Sequence, residues 1–152
     1  MAVTDAQVRA AAKAIIATPY PTAMVYGWNV LSHKLDEWPG LFRTTDDKTH
    51  GWIIKRAGGP SEWKRLNCDR RFWIYDIWGF YGFRSGKEGD NSDEEFAVIA
   101  DAVYDGFKAK PTLDVAEVEE HELLQFDLIS TIDCGEETLH WLKGSLKVRL
   151  CC

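Results

Sequence analysis

The chain has no stretch of about 18 consecutive apolar residues, which excludes a membrane-spanning helix. Residues 1–17 lack the basic start and long apolar middle of a secretory signal, so the expectation is a cytosolic chain. No C-x-x-C pair occurs among Cys68, Cys134, Cys151 and Cys152, and the last two are adjacent. Incidental thiols are therefore a better reading than a disulfide framework. H-E-x-x-H, Walker and G-x-G-x-x-G patterns are all missing. Aromatic residues are not scarce: seven Trp, five Tyr and seven Phe exclude intrinsic disorder. The 152 residues suit one domain, 1–152, large enough to bury a core without a disulfide or metal staple.

Charge is unevenly distributed behind a formal net value of −6. Residues 1–42 balance, 43–87 carry ten basic and five acidic side chains, and 88–137 carry two basic and sixteen acidic. Residues 138–152 add three basic groups and no acid. Charged outer faces aid solubility and account for many of these groups. Separate basic and acidic surfaces also suit heterologous, head-to-tail contacts between copies. No basic stripe outweighs the acid, which argues against base-reading nucleic-acid recognition.

Element signals place a helix over 5–17, opened by the capping box Thr4-Asp5-Ala6-Gln7 and closed by Pro19 and Pro21. Strands are expected near 23–31, 52–56 and 71–83, with 32–50 irregular and a long loop starting at Gly58-Gly59-Pro60. The run 71–83 is apolar on both faces and so requires two covers. One would be helices; the other would be either the chain's own loops or another subunit. A second helix over 93–110 starts at Ser92-Asp93-Glu94-Glu95, read as a capping box, and presents Phe96, Ile99, Ala100, Val103 and Phe107. Period-two alternation then predicts a hairpin, 121–133 with 138–150, turning at Cys134-Gly135-Glu136-Glu137. The fold class is α+β: a mainly antiparallel sheet of four to five strands with two principal helices packed on it.

Catalytic, cofactor and metal residues are not legible, and the expectation is that the chain is not an enzyme. His33, His50, His121 and His140 lack ligand spacing. Cys134 and His140 could meet across the hairpin as thiol and base, but no third orienting group is visible, so a turn cysteine and a core histidine are preferred. Gly79, Gly82 and Gly86 fit bending of an aromatic strand better than a phosphate loop. Asp93, Glu94 and Glu95 read as helix-start acids. Trp63 beside Lys64 and Arg65 offers the alternative of a Trp-rich platform for carbohydrate or single-stranded nucleic acid.

In its order of elements the chain resembles the tail-terminator and tail-completion proteins of tailed bacteriophages. The resemblance rests on the N-terminal helix, Trp52-Ile53-Ile54-Lys55-Arg56, the aromatic strand, the helix begun by Ser92, and the hairpin ending Lys147-Val148-Arg149-Leu150. It spans most of the chain as architecture and not as a motif. It implies a homo-oligomeric, hexameric ring at the head–tail junction of the virion, assembled in the host cytoplasm. That ring would end tail-tube growth and contact neck and tail-tube proteins. DNA would pass its lumen without sequence-specific binding, and no cofactor or membrane is implied. Another head-completion or neck component is the nearest alternative. From the charge pattern, Lys64, Arg65, Arg70 and Arg71 are placed on one side of a subunit interface, and Glu117, Glu119 and Glu120 on the other.

Overall fold

The computed structural model describes residues 3–58, 61–65, 68–84, 91–116, 118–123, 126–127 and 129–150, with 58, 61–65, 68–71 and 123 described as backbone. The helices are α1 (Asp5–Ala17), a short α2 (Trp38–Leu41) and α3 (Ser92–Lys108). The strands are β1 (Met24–Tyr26), β2 (His50–Gly58), β3 (Ser61–Arg65), β4 (Cys68–Gly82), β5 (Val118–Leu123), β6 (Ser130–Cys134) and β7 (Glu137–Leu150). The fold is α+β, with α1 and α3 packed on one mostly antiparallel sheet. No described helix is long and apolar enough to cross a membrane.

The sheet runs β1-β2-β4-β7-β5, with β3 also on β4 and β6 also on β7; only β1–β2 is parallel. It is five strands across, as expected, and comprises seven strands because two expected segments divide. The region after Gly58 returns as β3, so β2 and β3 occupy the same edge of β4 in succession. The expected strand 121–133 is two strands, β5 and β6, lying end to end on β7. The expected strand 23–31 is short, covering Met24–Tyr26 alone. The helix, aromatic-strand and closing-strand positions otherwise follow the expectation within a few residues, and Gly135 makes the hairpin turn at φ 81°, where a Cβ would be strained.

Thr4 caps α1 as a capping box: its hydroxyl accepts from the Gln7 N–H, and Gln7 Oε1 accepts from the Thr4 N–H at 2.8 Å. Val8, Ala12, Ile15 and Ile16 are thereby set on the sheet. In α3 the N-cap is Asn91 and not Ser92: Asn91 Oδ1 accepts from the Glu94 N–H at 2.9 Å. Phe96, Ile99, Ala100, Val103 and Phe107 face the core as the periodicity predicts. Between helices and sheet lie Trp52, Ile54, Tyr75, Ile77, Leu142, Leu146 and Val148. Burying each large side chain of this kind stabilises by about 1.5–3 kcal/mol.

The second face of β4 is covered by the chain itself. The irregular segment between β1 and β2 brings Phe42 to stack on Phe80 at 4.7 Å and Trp38 edge-on at 5.9 Å. Ile53, Cys134 and Leu139 complete this smaller core. Toward the other end, Phe72 lies under Lys147 at 4.2 Å and Arg149 at 5.2 Å, and Lys55 lies over Trp78 at 5.9 Å. The two-faced aromatic strand therefore needs no second subunit to bury it.

Two glycines make room for rings. A Cβ on Gly79 would sit 2.7 Å from the fully buried Trp52 indole, and one on Gly144 would sit 2.4 Å from Phe126. Trp52 is enclosed and cannot retreat, whereas half-buried Phe126 lies outside the strands and can. Gly79→Ala is expected to cost about 2–3 kcal/mol and Gly144→Ala about 1 kcal/mol in urea unfolding. Gly40→Ala, with nothing within 4 Å of the new Cβ, serves as the neutral control. Equal losses at Gly79 and Gly40 would show that Trp52 is not held as described.

Candidate functional site

Three places bring polar or unpartnered groups together. The first is a cleft of about 470 Å³ at the end of the sheet where α3 begins. Arg43 pairs there with Glu137, Arg84 pairs with Glu95, and the Tyr81 hydroxyl donates to Glu95 at 2.9 Å. Burial and this carboxylate push the Tyr81 hydroxyl up to about 12. Two of the three cations lining the cleft, Arg43 and Arg84, are thus paired within the chain, and Lys48, Asp47 and Glu136 line it as well.

Beneath it, Ser92 and His140 are buried, with Ser92 Oγ 2.7 Å from His140 Nε2. The spacing resembles a nucleophile and its base. The hydrogen-bond inventory points elsewhere. Ser92 Oγ also accepts from the Arg84 N–H at 2.6 Å and donates to the Arg84 carbonyl at 2.8 Å. A hydroxyl has one proton to give, so the arrangement that satisfies all three contacts has His140 Nε2–H donating to Ser92. His140 is then a donor to Ser92 and not its base. This bond ties β7, α3 and the end of β4 together. Having moved the cap to Asn91, the sequence frees the Ser92 side chain for this role.

Cys134 and His140 are not brought together. Cys134 belongs to the Phe42–Phe80 side of the sheet and its thiol donates to the Ile132 carbonyl, while His140 faces Phe96 of α3 at 6.4 Å. Burial pushes the Cys134 thiol up, away from thiolate reactivity. His50 is buried and its Nε2 accepts from the Trp52 indole N–H at 2.9 Å. His121 meets the Phe107 and Lys110 carbonyls at the end of α3. Among the described residues, no three His, Cys, Asp or Glu side chains converge as a metal site.

The second place is a groove of about 690 Å³ along α3. Its floor is Ala97, Ala100, Phe126, Ile129 and Leu142, with Tyr104 at one end and Asp93, Asp101 and Asp127 on the rim. The break between β5 and β6 creates it: the chain leaves β7, the Asp127 N–H returns to the Lys143 carbonyl at 2.9 Å, and Phe126 enters over Gly144. The three rim carboxylates form no ion pair among the described residues.

The third place is the strand pair β3–β4. Among the described residues, β4 pairs with β7 from Arg71 onward and with β2 from Ile74 onward. Ahead of those points β3 and β4 pair with each other, as far as Arg65↔Cys68. Lys64, Arg65, Arg70 and Arg71 all belong to this strand pair, and their side chains lie outside the described residues. Glu117 lies outside them as well. Glu119 is exposed on β5, and Glu120 is already ion-paired with Arg149 of its own chain. The expected cations thus share one strand pair. Of the expected acids, Glu119 and Glu120 are on β5, and α3 with Phe126, Asp127 and Ile129 forms a separate acidic-rimmed surface. Of the described tryptophans, Trp28 alone is strongly exposed, at 58%.

A comparison with the sequence models of known protein families finds no match, and a search of curated proteins returns none.

The buried histidines generate a pH dependence. Burial holds His50 down to about 4 and lowers His140 from its ordinary value. Both stay neutral in the folded chain where the unfolded chain, near 6.5, binds protons. Their stabilising effect is full above pH 6.5 and is lost as pH falls toward the folded values. For His50 the loss by pH 4 is roughly 3 kcal/mol, at 1.36 kcal/mol per pH unit. His50→Gln, which retains an acceptor for Trp52, should flatten the unfolding free energy between pH 6.5 and 4. An unchanged slope in that variant would remove His50 as the cause.

Proposed function

We propose that this protein is a structural subunit that assembles head to tail into a closed, hexameric ring. The ring is of the kind that ends tail-tube growth and joins the tail to the neck in tailed bacteriophages. Its neighbours are then neck and tail-tube proteins, and DNA passes its lumen without sequence-specific contact. The observation that supports this reading is the separation of charge on a net-acidic chain: the β3–β4 strand pair carries Lys64, Arg65, Arg70 and Arg71, whereas residues 88–137 carry two basic and sixteen acidic side chains. A contact made by one surface on a different surface of the next copy closes into rings when the rotation permits. The acidic excess suits a lumen that does not retain phosphate.

Charge-guided contacts of this type are weakened by salt, with each partly exposed pair contributing about 0–1 kcal/mol. Native mass spectrometry and electron microscopy of the full chain, alone and co-expressed with its genomic neighbours, test the reading. A ring that dissociates as ionic strength rises is the expected result. A monomer under every one of those conditions, or an assembly that is not closed, overturns it.

A further inference from the structure

We infer that the cleft at the end of the sheet where α3 begins is a binding site for a neutral polyhydroxylated ligand, in class a short saccharide. The inference is independent of the ring reading, and three observations lead to it.

The cleft is made by four segments that are fastened to one another. They are the hairpin turn 43–49, the end of β4 with Phe83 and Arg84, the first turn of α3, and the turn from β6 into β7. The Gly82 N–H donates to the Thr49 carbonyl and the Phe83 N–H to the Thr138 carbonyl, each at 2.9 Å. Arg43 pairs with Glu137, Arg84 pairs with Glu95, and the Ser92 hydroxyl joins the Arg84 backbone to His140. Walls fixed before a ligand arrives reduce the ordering cost of binding. That saving counts most for a ligand whose hydrogen bonds to water must be replaced one for one. At about 470 Å³ the cleft lies in the size range of small-molecule sites.

Its polar groups are of both signs and nearly balanced. Three cations and four carboxylates line it, two of each joined as the Arg43–Glu137 and Arg84–Glu95 pairs. An anion entering the cleft meets the carboxylates and a cation meets the basic groups, so an ionic ligand gains little from either. Beyond the two pairs, Lys48 offers donors, and Asp47 and Glu136 offer acceptors. A ligand that satisfies both kinds must donate and accept from adjacent atoms. A hydroxyl does both, and a sugar presents several of them in a row.

An aromatic ring stands at the same place. Phe83 is 50% exposed, on a backbone held by Thr138, with its ring 5.1 Å from the ring of buried His140. A sugar ring carries C–H groups on its faces and hydroxyls around its edge. A half-exposed phenyl ring, whose face is electron-rich, beside mixed donors and acceptors matches both parts. Trp28 is more exposed, but it lines neither this cleft nor the groove along α3.

The experiment is saturation-transfer NMR and titration calorimetry of the full chain with three probes: maltotriose, cellotriose and the trimer of N-acetylglucosamine. At least one is expected to bind, in about the millimolar range, with an affinity unchanged as ionic strength rises. Two variants, checked for folding by circular dichroism, locate the site. Phe83→Leu keeps apolar bulk without the ring, and Lys48→Ala with Glu136→Ala removes exposed donors and acceptors. Each is expected to weaken binding at least about tenfold, while Trp28→Ala leaves it unchanged. If Phe83→Leu does not fold, the Lys48 and Glu136 variant decides alone. No binding of any of the three probes overturns the inference. Binding that survives the cleft variants, or is lost only in Trp28→Ala, overturns the location. Tighter, salt-sensitive binding of inorganic phosphate or of spermidine in the cleft overturns the neutral class. None of these results alters the assembly state, so the ring stands or falls separately.

Discussion

β4 is the strand to which the rest of the chain is fitted, because it is paired on both edges and buried on both faces. Its edges take β2 and β3 on one side and β7 on the other. Its faces present Tyr75 and Ile77 to the helices and Phe80 to the segment around α2. Rings this large cannot be stacked on a regular pleat without gaps opposite them. Gly79 supplies one such gap for Trp52, and Gly51 supplies another for Phe42, whose ring a Cβ there would strike at 2.0 Å. The glycines in aromatic strands are thus part of the packing and not points of weakness. Once Trp52 is enclosed, its indole N–H needs an acceptor, and His50 on the same face of β2 provides it while giving up its own charge.

Electrostatics divides the molecule in a different way. Near the start of α3 the charges are matched locally, with Arg43, Arg84, Glu95, Glu137 and Tyr81 forming a closed set. The Phe72 end of the second sheet face behaves similarly: Lys147 and Arg149 lie over Phe72, and Asp76 is 3.7 Å from Lys143. Those groups are solvated pairs of small net effect. Asp93, Asp101 and Asp127 beside α3, like Asp36, Asp47 and Glu136 elsewhere, form no ion pair among the described residues. Carboxylates left unpaired in this way are free to set the orientation of a cationic partner.

Elements with a buried stripe were legible in the sequence, and β3, whose residues read as a loop, was not. α1 and α3 announce themselves through Val8, Ala12 and Ile15, and through Phe96, Val103 and Phe107. β3 is held by its ladder with β4, and the polar run Ser61-Glu62-Trp63-Lys64-Arg65 after Gly-Gly-Pro reads as a loop. Asn91 and Ser92 are both good caps, and the choice between them is decided by what the other must do. Ser92 is required by Arg84 and His140, so Asn91 takes the cap. The charge run pointed to Glu117, Glu119 and Glu120, but ion pairing with Arg149 depends on the β5–β7 register, which composition does not contain.

The break between β5 and β6 shows why the groove exists at all. Period-two alternation in 121–133 describes an unbroken strand, which would lie flat on β7 and let α3 settle against it. Gly144 alters that outcome, because the space over it admits the Phe126 ring, at 2.4 Å from where a Cβ would stand. With Phe126 over Gly144, residues 126, 127 and 129 lie off the β7 ladder, and the Asp127 N–H donates to the Lys143 carbonyl. α3 then faces an irregular edge with two small residues, Ala97 and Ala100, and the gap between them is the groove. A residue lacking a side chain in β7 thus admits the ring that forms part of the surface beside α3.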